Sequence, residues 1–488
     1  MSTSSARPRA RRASGGTASG VRRAPAPWAM ITVLCAAGIC VALVQAMIFP
    51  LVPSLPGMLD TSAADATWVV SATLMAAAVA TPVSGRLGDM VGKRRVVLAN
   101  LGFLVLGSLL CAASSSLLPM VAGRALQGLA MGTIPLGISI MREELTARQM
   151  ATGIAVMSAT MGIGGSIGMP LSALVLAVAS WQMMFLLVGA LGAVCALAVL
   201  LVVPPSRVTT PGRFDLVGAL GLAVVLVSLL LVVTRGSEWG WGSARIVGLA
   251  VTVVVVLGWW VRFELRTRDA LVDLRVSARP TMVWANLAAL ALGFAMYPQG
   301  LAFPQMLNAP TSTGYGLGVD MVVAGLVIGT GGLTMLLMAP LAARFIVVRG
   351  ARASLAVAGC LAALSYALPL VWHDEPWHFA LASIVMCGGL AFGMGALPQL
   401  VMSAVPVGES GAANGVNALM RSLGLAVSGA VVSIVLATST VEAGGATYPS
   451  LSSLQLSYGV TLLAALLVVV CAWRVPRAGA VVAGAAGR

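Results

Sequence analysis

Charge is scarce in this chain. Of its 488 residues only 9% are charged and fifteen are acidic, against about a quarter charged in an ordinary soluble protein. Together with 59% hydrophobic residues, that scarcity excludes a soluble globular domain and a disordered chain alike. The seven cysteines (Cys35, Cys40, Cys111, Cys195, Cys360, Cys387, Cys471) all fall inside apolar runs, which excludes a disulfide framework. The two histidines, His373 and His378, share one loop; solvated side chains are the expected reading there and a metal pair the lesser one. Walker loops and zinc-type clusters are missing, so ATP drive, hydrolysis, a metal and an organic cofactor all lack support. What abounds is apolar length, with 55 glycines set in apolar stretches where small residues let helices approach in lipid. The chain reads as an all-α polytopic membrane protein and not as an enzyme.

A bilayer core takes roughly 20 apolar residues per helix. That ruler marks fourteen segments, at 29–52, 66–85, 95–115, 117–141, 150–179, 181–204 and 214–234, then 244–263, 281–306, 319–344, 351–372, 377–402, 412–438 and 453–474. All but four of the 29 basic residues fall in the tails and in alternate loops; the exceptions are Arg124 and Arg421 inside spans, and Arg235 and Arg245 on the opposite side. This is the positive-inside pattern and not a nucleic-acid footprint, and it predicts an even span count with both termini cytoplasmic. Trp68, Trp181, Trp239, Trp241, Trp372 and Trp377 fall at outer ends, and Trp28, Trp259, Trp260, Trp284 and Trp473 at inner ends, forming two interfacial belts. The expected organisation is a disordered basic tail (1–28), a six-helix bundle (29–204), a two-helix insert with its loops (205–280), a second six-helix bundle (281–474) and a short tail (475–488).

The most informative stretch is Gly85-Arg-Leu-Gly-Asp-Met-Val-Gly-Lys-Arg-Arg95 between spans 2 and 3. Its glycines permit a tight turn, Asp89 can accept hydrogen bonds from a helix N-terminus or an arginine, and Lys93, Arg94 and Arg95 can pair with it or with lipid phosphate. The spacing G-x-L-x-D-x-x-G-[KR]-[KR]-[KR] resembles the signature loop of the major facilitator superfamily. Arg124-Ala-Leu-Gln127-Gly128-Leu-Ala-Met-Gly132 resembles that family's R-x-x-Q-G-x-x-x-G element, and a degenerate echo of the loop follows span 10 at Arg344 and Arg349-Gly-Ala-Arg352. Six spans, two extra, then six more is the layout of the fourteen-helix drug:proton antiporter branch, and Asn417-Ala-Leu-Met-Arg421-Ser-Leu-Gly424 resembles its span 13. The resemblance implies two parallel six-helix repeats and alternating access. It also implies a monomeric, proton-coupled exporter of small amphipathic compounds in the cell (inner or plasma) membrane, with the proton gradient as energy source and the lipid bilayer as surroundings. A narrow-specificity exporter of an endogenous metabolite is the alternative.

Buried charges in spans mark pathways or coupling elements. For Arg124 the competing reading is snorkelling to the outer interface; for Arg421 it is a structural interhelical pair. In span 5, Gly164 and Gly168 give a small-xxx-small packing face. Exporters of the family carry a G-P-x-x-G-G kink in that span, but here Gly165 takes the proline's place and Pro170 is displaced. The branch's span-1 carboxylate is also missing, with Val44 in its place, and none of the acidic residues falls mid-membrane, which leaves Asp89 and Asp320 as coupling candidates. Without a buried anion to offset desolvation, a multiply cationic substrate is disfavoured and a neutral, weakly charged or anionic one expected. The expected cavity residues are Gln45, Phe49, Tyr297, Gln299, Phe303, Gln305, Gln399 and Asn417. Pro50, Pro53, Pro298 and Pro304 are expected to break their helices beside the cavity.

Overall fold

The computed structural model describes residues 27–48, 51, 54–206, 209–210, 212–443 and 446–476. Both terminal tails, Phe49, Pro50 and Pro53 lie outside the described residues. The first half contains α1 (Pro27–Ala46), α2 (Trp68–Val91), α3 (Lys93–Ala113), α4 (Leu117–Glu144), α5 (Ala147–Val178) and α6 (Trp181–Val202). Two further helices follow, α7 (Leu216–Trp239) and α8 (Ala244–Glu264). The second half contains α9 (Pro280–Asn308), α10 (Met321–Arg349), α11 (Ala351–Val371), α12 (Pro376–Ala404), α13 (Ser410–Ala437) and α14 (Leu451–Arg474). Among the described residues, 13 helices are long and apolar enough to cross a membrane, and the 32-residue α5 takes the fourteenth place.

Neighbours repeat with a fixed offset. In the first half α1 lies against α5 and α6, α2 against α4, and α3 against α4 and α6. In the second, α9 lies against α13 and α14, α10 against α12, and α11 against α12 and α14. Each pair is its predecessor moved on by eight helices, so the two bundles are parallel repeats with α7 and α8 inserted between them. The bundles meet through α2 on α13 and α5 on α10, which are two copies of one contact with the halves exchanged. Leu34, Val97, Leu101 and Val199 belong to one hydrophobic core and Leu292, Phe303, Tyr366 and Tyr458 to another. A smaller third core joins Leu222, Leu226 and Leu230 of α7 to Met75 of α2 and Leu419 of α13. Val247, Val251, Val254 and Val255 leave α8 outermost, with apolar side chains facing outward as lipid requires.

Local chemistry explains several helix ends. Gly92, with φ +104°, turns α2 into α3, and Gly350, with φ +84°, turns α10 into α11 at the same place in the second repeat; a side chain would be strained at either. Asp215 caps α7 through the Gly218 N–H at 2.7 Å, and Ser243 caps α8. His378 accepts the Glu375 N–H at 3.2 Å and so caps α12. The turn at Ala130–Gly132 tightens to 3-10 geometry inside α4, just before Pro135, which has no N–H to give.

Two expectations change. Pro298 and Pro304 do not break α9, which runs unbroken from Pro280 to Asn308. Hydroxyls on neighbouring helices supply donors to that stretch, Tyr366 to the Ala295 carbonyl at 2.5 Å and Tyr458 to that of Ala302 at 3.5 Å. A hairpin, β1 (Thr440–Ala443) with β2 (Ala446–Pro449), precedes α14. Its alternating residues around Gly444-Gly445 are a hairpin signal that the search for spans passed over.

The contact between α9 and α13 is made backbone to backbone. A Cβ on Gly424 would lie 2.0 Å from the Leu290 carbonyl oxygen, and one on Gly293 2.1 Å from that of Arg421. Gly424→Ala is expected to cost about 1–3 kcal/mol through overpacking, whereas Gly329→Ala, with nothing within 4 Å of its Cβ, costs little. Thermal unfolding of the two variants in detergent checks this, and equal melting temperatures would contradict it.

Candidate functional site: a clasp between two bundles

The last turn of α2 supplies a charged contact between the halves, on the face of the molecule that carries the basic loops. Asp89 and Lys93 are both 0% exposed and paired at 2.9 Å, and Lys93 also pairs with Glu143 at the end of α4. The Asp89 carboxylate then crosses to the other bundle. It accepts the Gly411 N–H at 3.1 Å and the Ala412 N–H at 2.7 Å, two of the open donors at the start of α13. Glycine on both sides allows the approach, since a Cβ on Gly85 would lie 2.4 Å from the Gly411 carbonyl oxygen. Around this clasp, Arg142 of α4 donates to the Val405 carbonyl at 2.8 Å, and Asn414 donates to Ser139 at 3.2 Å. Thr210 of the α6–α7 linker touches both halves, its N–H on the Asp89 carbonyl at 2.8 Å and its hydroxyl on that of Gly408 at 3.0 Å.

Arg94 does not join the clasp. It donates to the Leu200 carbonyl at the end of α6 within its own bundle. Arg352, two residues past Gly350 as Arg94 is past Gly92, does the same to the carbonyls of Ala472 and Trp473 at the end of α14, at 3.0 and 2.6 Å. Arg95 is exposed and reaches back to Val91. Aligning Gly92 with Gly350 puts Val347 where Asp89 stands, so the second repeat has no equivalent carboxylate.

Arg124 is 1% exposed, which removes snorkelling. Its Nε donates to the Val69 carbonyl at 3.1 Å, and its Nη1 to the Val44 carbonyl at 3.1 Å and to Gln127 Oε1 at 2.8 Å. Gln127 in turn donates to Ser108 at 2.9 Å. One guanidinium therefore ties α1 and α2 to α4, beside the residue that stands where the branch has its acid. Gly128 lets α4 meet α2, its Cβ position lying 2.5 Å from the Thr73 carbonyl oxygen.

Between the bundles near mid-height lies a gap of about 20 Å³, lined by Ser158, Met394, Asn414, Asn417 and Arg421 among others, with room for about one water. Asn417 donates to the Ala285 carbonyl and to Asn286 Oδ1 at 3.3 and 3.1 Å. Arg421 reaches across to Met161 Sδ at 3.8 Å, and no ion pair within 4.0 Å is recorded for it among the described residues. At the opposite face a crevice of about 530 Å³ opens between the outer ends of α9 and α13 beneath the hairpin.

The remaining expected site residues scatter. Gln305 lines that outer crevice, with Oε1 unpaired. Gln399 Nε2 is buried without a partner, Gln45 is half-buried on α1, and Tyr297 packs on Gly429. Gln299 turns into its own bundle towards Cys387. Phe303 is 0% exposed and sits among Tyr366, Phe379 and Tyr458 at centroid distances of 5.3–5.8 Å. It is a core residue holding the proline-bearing helix, not a cavity residue. Gly164 and Gly168 seat α5 on Ala42 and Ala46 of α1, a Cβ on Gly165 would meet nothing within 4 Å, and the side chain of Pro170 lies outside the described residues. Asp320 is exposed just before α10. Sequence reasoning missed the receiving half of the clasp; the run Gly411-Ala-Ala-Asn-Gly415 was its signal.

A family model described as Major Facilitator Superfamily matches residues 34–429. The chain belongs to that superfamily. The 13 apolar helices long enough to cross a membrane among the described residues fit a multi-pass member of that superfamily. It is 28% identical over 298 residues to the MFS-type transporter Rv1877 of Mycobacterium tuberculosis, covering 60% of this chain and 43% of that protein, so it spans under half the length of that relative. It is 25% identical over 373 residues to the multidrug resistance protein Stp of the same organism, covering 76% of this chain and 68% of that one. The structure of the human organic anion transporter MFSD10 shares the fold, with a TM-score of 0.66 at 17% identity over 91% of this chain and all of that one.

For this facilitator protein the Arg124 clamp predicts a stability effect. Arg124→Ala removes the donor that the Val69 and Val44 carbonyls and Gln127 Oε1 share, which costs about 1–3 kcal/mol. Arg124→Lys rescues little, because one ammonium cannot reproduce the fork. Melting temperatures in detergent check both, and a wild-type value for the alanine variant would contradict the clamp.

Proposed function

We propose that the chain is a secondary active exporter of small amphipathic compounds, drugs among them, across the cytoplasmic membrane. Its two bundles rock about a central site in exchange for protons. The observation that carries this reading is the Asp89 clasp, a charge-assisted contact that joins the bundles on one face alone. Taking the basic face as cytoplasmic, with both chain ends on that side, the structure corresponds to the state closed to the cytoplasm, and the crevice under the hairpin faces outward. Loss of the clasp frees the cytoplasmic ends of α2 and α13 to part. The relationship to Stp, named as a multidrug resistance protein, supports drug efflux as the class of activity.

The mid-height gap suggests the substrate's chemistry. Its one charged lining residue is the cation Arg421, beside the amides of Asn414 and Asn417. A neutral or anionic amphipathic molecule with acceptor groups would satisfy these donors as the gap opens, whereas a polycation would meet an unscreened like charge.

The test is transport in proteoliposomes of a compound panel, with and without an imposed pH gradient, by wild type and Asp89→Asn. Hydrogen bonds to a charged group contribute about 1.5–3 kcal/mol, so the variant shifts the closed state roughly 10- to 100-fold towards opening. The expected result is gradient-dependent transport of several unlike compounds, with a slower maximal rate and unchanged substrate affinity in Asp89→Asn. Transport indifferent to the gradient would remove the antiport reading. A single transported compound would replace drug efflux with a narrow metabolic role.

A further inference from the structure

Among the described residues Asp89 and Glu264 are buried acidic residues, and the Glu143 side chain is buried against Lys93. Asp89 is fully partnered, as above. Glu264, the last residue of α8, is 2% exposed, and neither of its oxygens has a hydrogen-bond partner. The backbone amides of Leu271 and Val272 face its carboxylate.

Across from it stands a second carboxylate. Asp215 uses Oδ1 to cap α7, and its Oδ2 is buried and unpaired. Both residues crowd Gly218: a Cβ there would lie 2.3 Å from Asp215 Oδ2 and 2.8 Å from Glu264 Oε1. Among the described residues neither carboxylate has an ion pair within 4.0 Å. Two carboxylates that converge on one glycine, one of them buried and neither in an ion pair within 4.0 Å among the described residues, repel each other when both are ionised, and a proton bound by either relieves that repulsion.

A route for that proton exists. Glu264 lines a cavity of about 190 Å³ on the basic face, which also touches Arg86 of the signature loop and Ala412 of the clasp. The charged groups facing it are Arg86 from α2 and Glu409 from the turn before α13, with Arg268, Asp269, Asp273 and Arg275 from the α8–α9 linker. Arg86 Nε is itself buried and unpaired, so it is the cation placed to respond when the proton leaves.

We infer that Asp215 and Glu264 form a proton-binding site in the two-helix insert, the two carboxyls sharing one proton taken from the basic-face cavity. Binding forms an O–H bond on one carboxyl that hydrogen-bonds the other; release returns the proton to water in the cavity and leaves a net negative charge facing Arg86. The insert thereby senses proton activity directly beneath the clasp. This deepens the proton-coupled reading above by naming a carboxylate site for it, but its occupancy can be measured without transport.

The experiment is pH-difference infrared spectroscopy of the full chain in lipid nanodiscs, with neither substrate nor gradient. Wild type is expected to show a protonated-carboxyl C=O band that titrates and shifts in heavy water. Glu264→Gln, which keeps an acceptor for the facing amides, and Asp215→Asn, which keeps the helix cap, are each expected to abolish it. A band that survives Glu264→Gln overturns the site, and one that survives Asp215→Asn with an unchanged midpoint overturns the sharing. Should the band behave as expected while transport ignores the gradient, the antiport reading falls and this site stands. Should the band be missing while transport stays gradient-driven, the site falls and antiport stands.

Discussion

A buried carboxylate must be satisfied, and Asp89 is satisfied in full only while the two halves of the molecule touch. Lys93 neutralises its charge from within the same bundle, but part of its hydrogen-bonding capacity is met by two main-chain amides of α13. In a region where water is excluded, an unmade hydrogen bond to a charge is costly. The relative position of the bundles is therefore coupled to one side chain. The other features of that face fit around this: glycines at 85 and 411 that bring the backbones into contact, Thr210 bound to both sides, and Arg142 reaching over to the Val405 carbonyl.

The repeat makes clear what is structural and what is specific. Gly92 and Gly350 turn equivalent helices, and Arg94 and Arg352 tie equivalent helix ends, so these positions serve each bundle by itself. The carboxylate has no counterpart, because Val347 holds its place and is exposed. A symmetric pair of bundles is thus held by an asymmetric contact. That suits a device that must release on one face without weakening either bundle. Arg124 belongs with the structural group: it braces α1 and α2 against α4, and its hydrogen bonds among the described residues stay inside the first half.

Much of this was legible in the sequence. Fourteen segments and their alternating basic loops follow from the length of apolar runs and the cost of moving charge across lipid, neither of which needs a tertiary structure. The signature loop gave one half of the clasp, because glycine, aspartate and lysine at those spacings carry their chemistry in side chains. The other half could not be read so readily, since Gly411 and Ala412 contribute only backbone, and a backbone donor leaves no mark beyond smallness. Phe303 was mistaken for a cavity residue because residue type says nothing about which face of a helix looks inward when every face is apolar. Gln305 and Asn417, by contrast, line openings between helices. The prolines of α9 misled for a related reason: the hydroxyls of Tyr366 and Tyr458 that serve that stretch lie on α11 and α14, distant in sequence.

If Asp89 holds the basic ends of α2 and α13 together, the distance between them depends on its carboxylate. Spin labels at Val91 and Val407, both exposed beside the clasp, with the exposed Cys360 replaced by serine, report that distance by electron–electron coupling. Wild type should give one predominantly short distance, and Asp89→Asn should move a large share of the population to a longer one. Identical distributions in the two proteins would contradict the account.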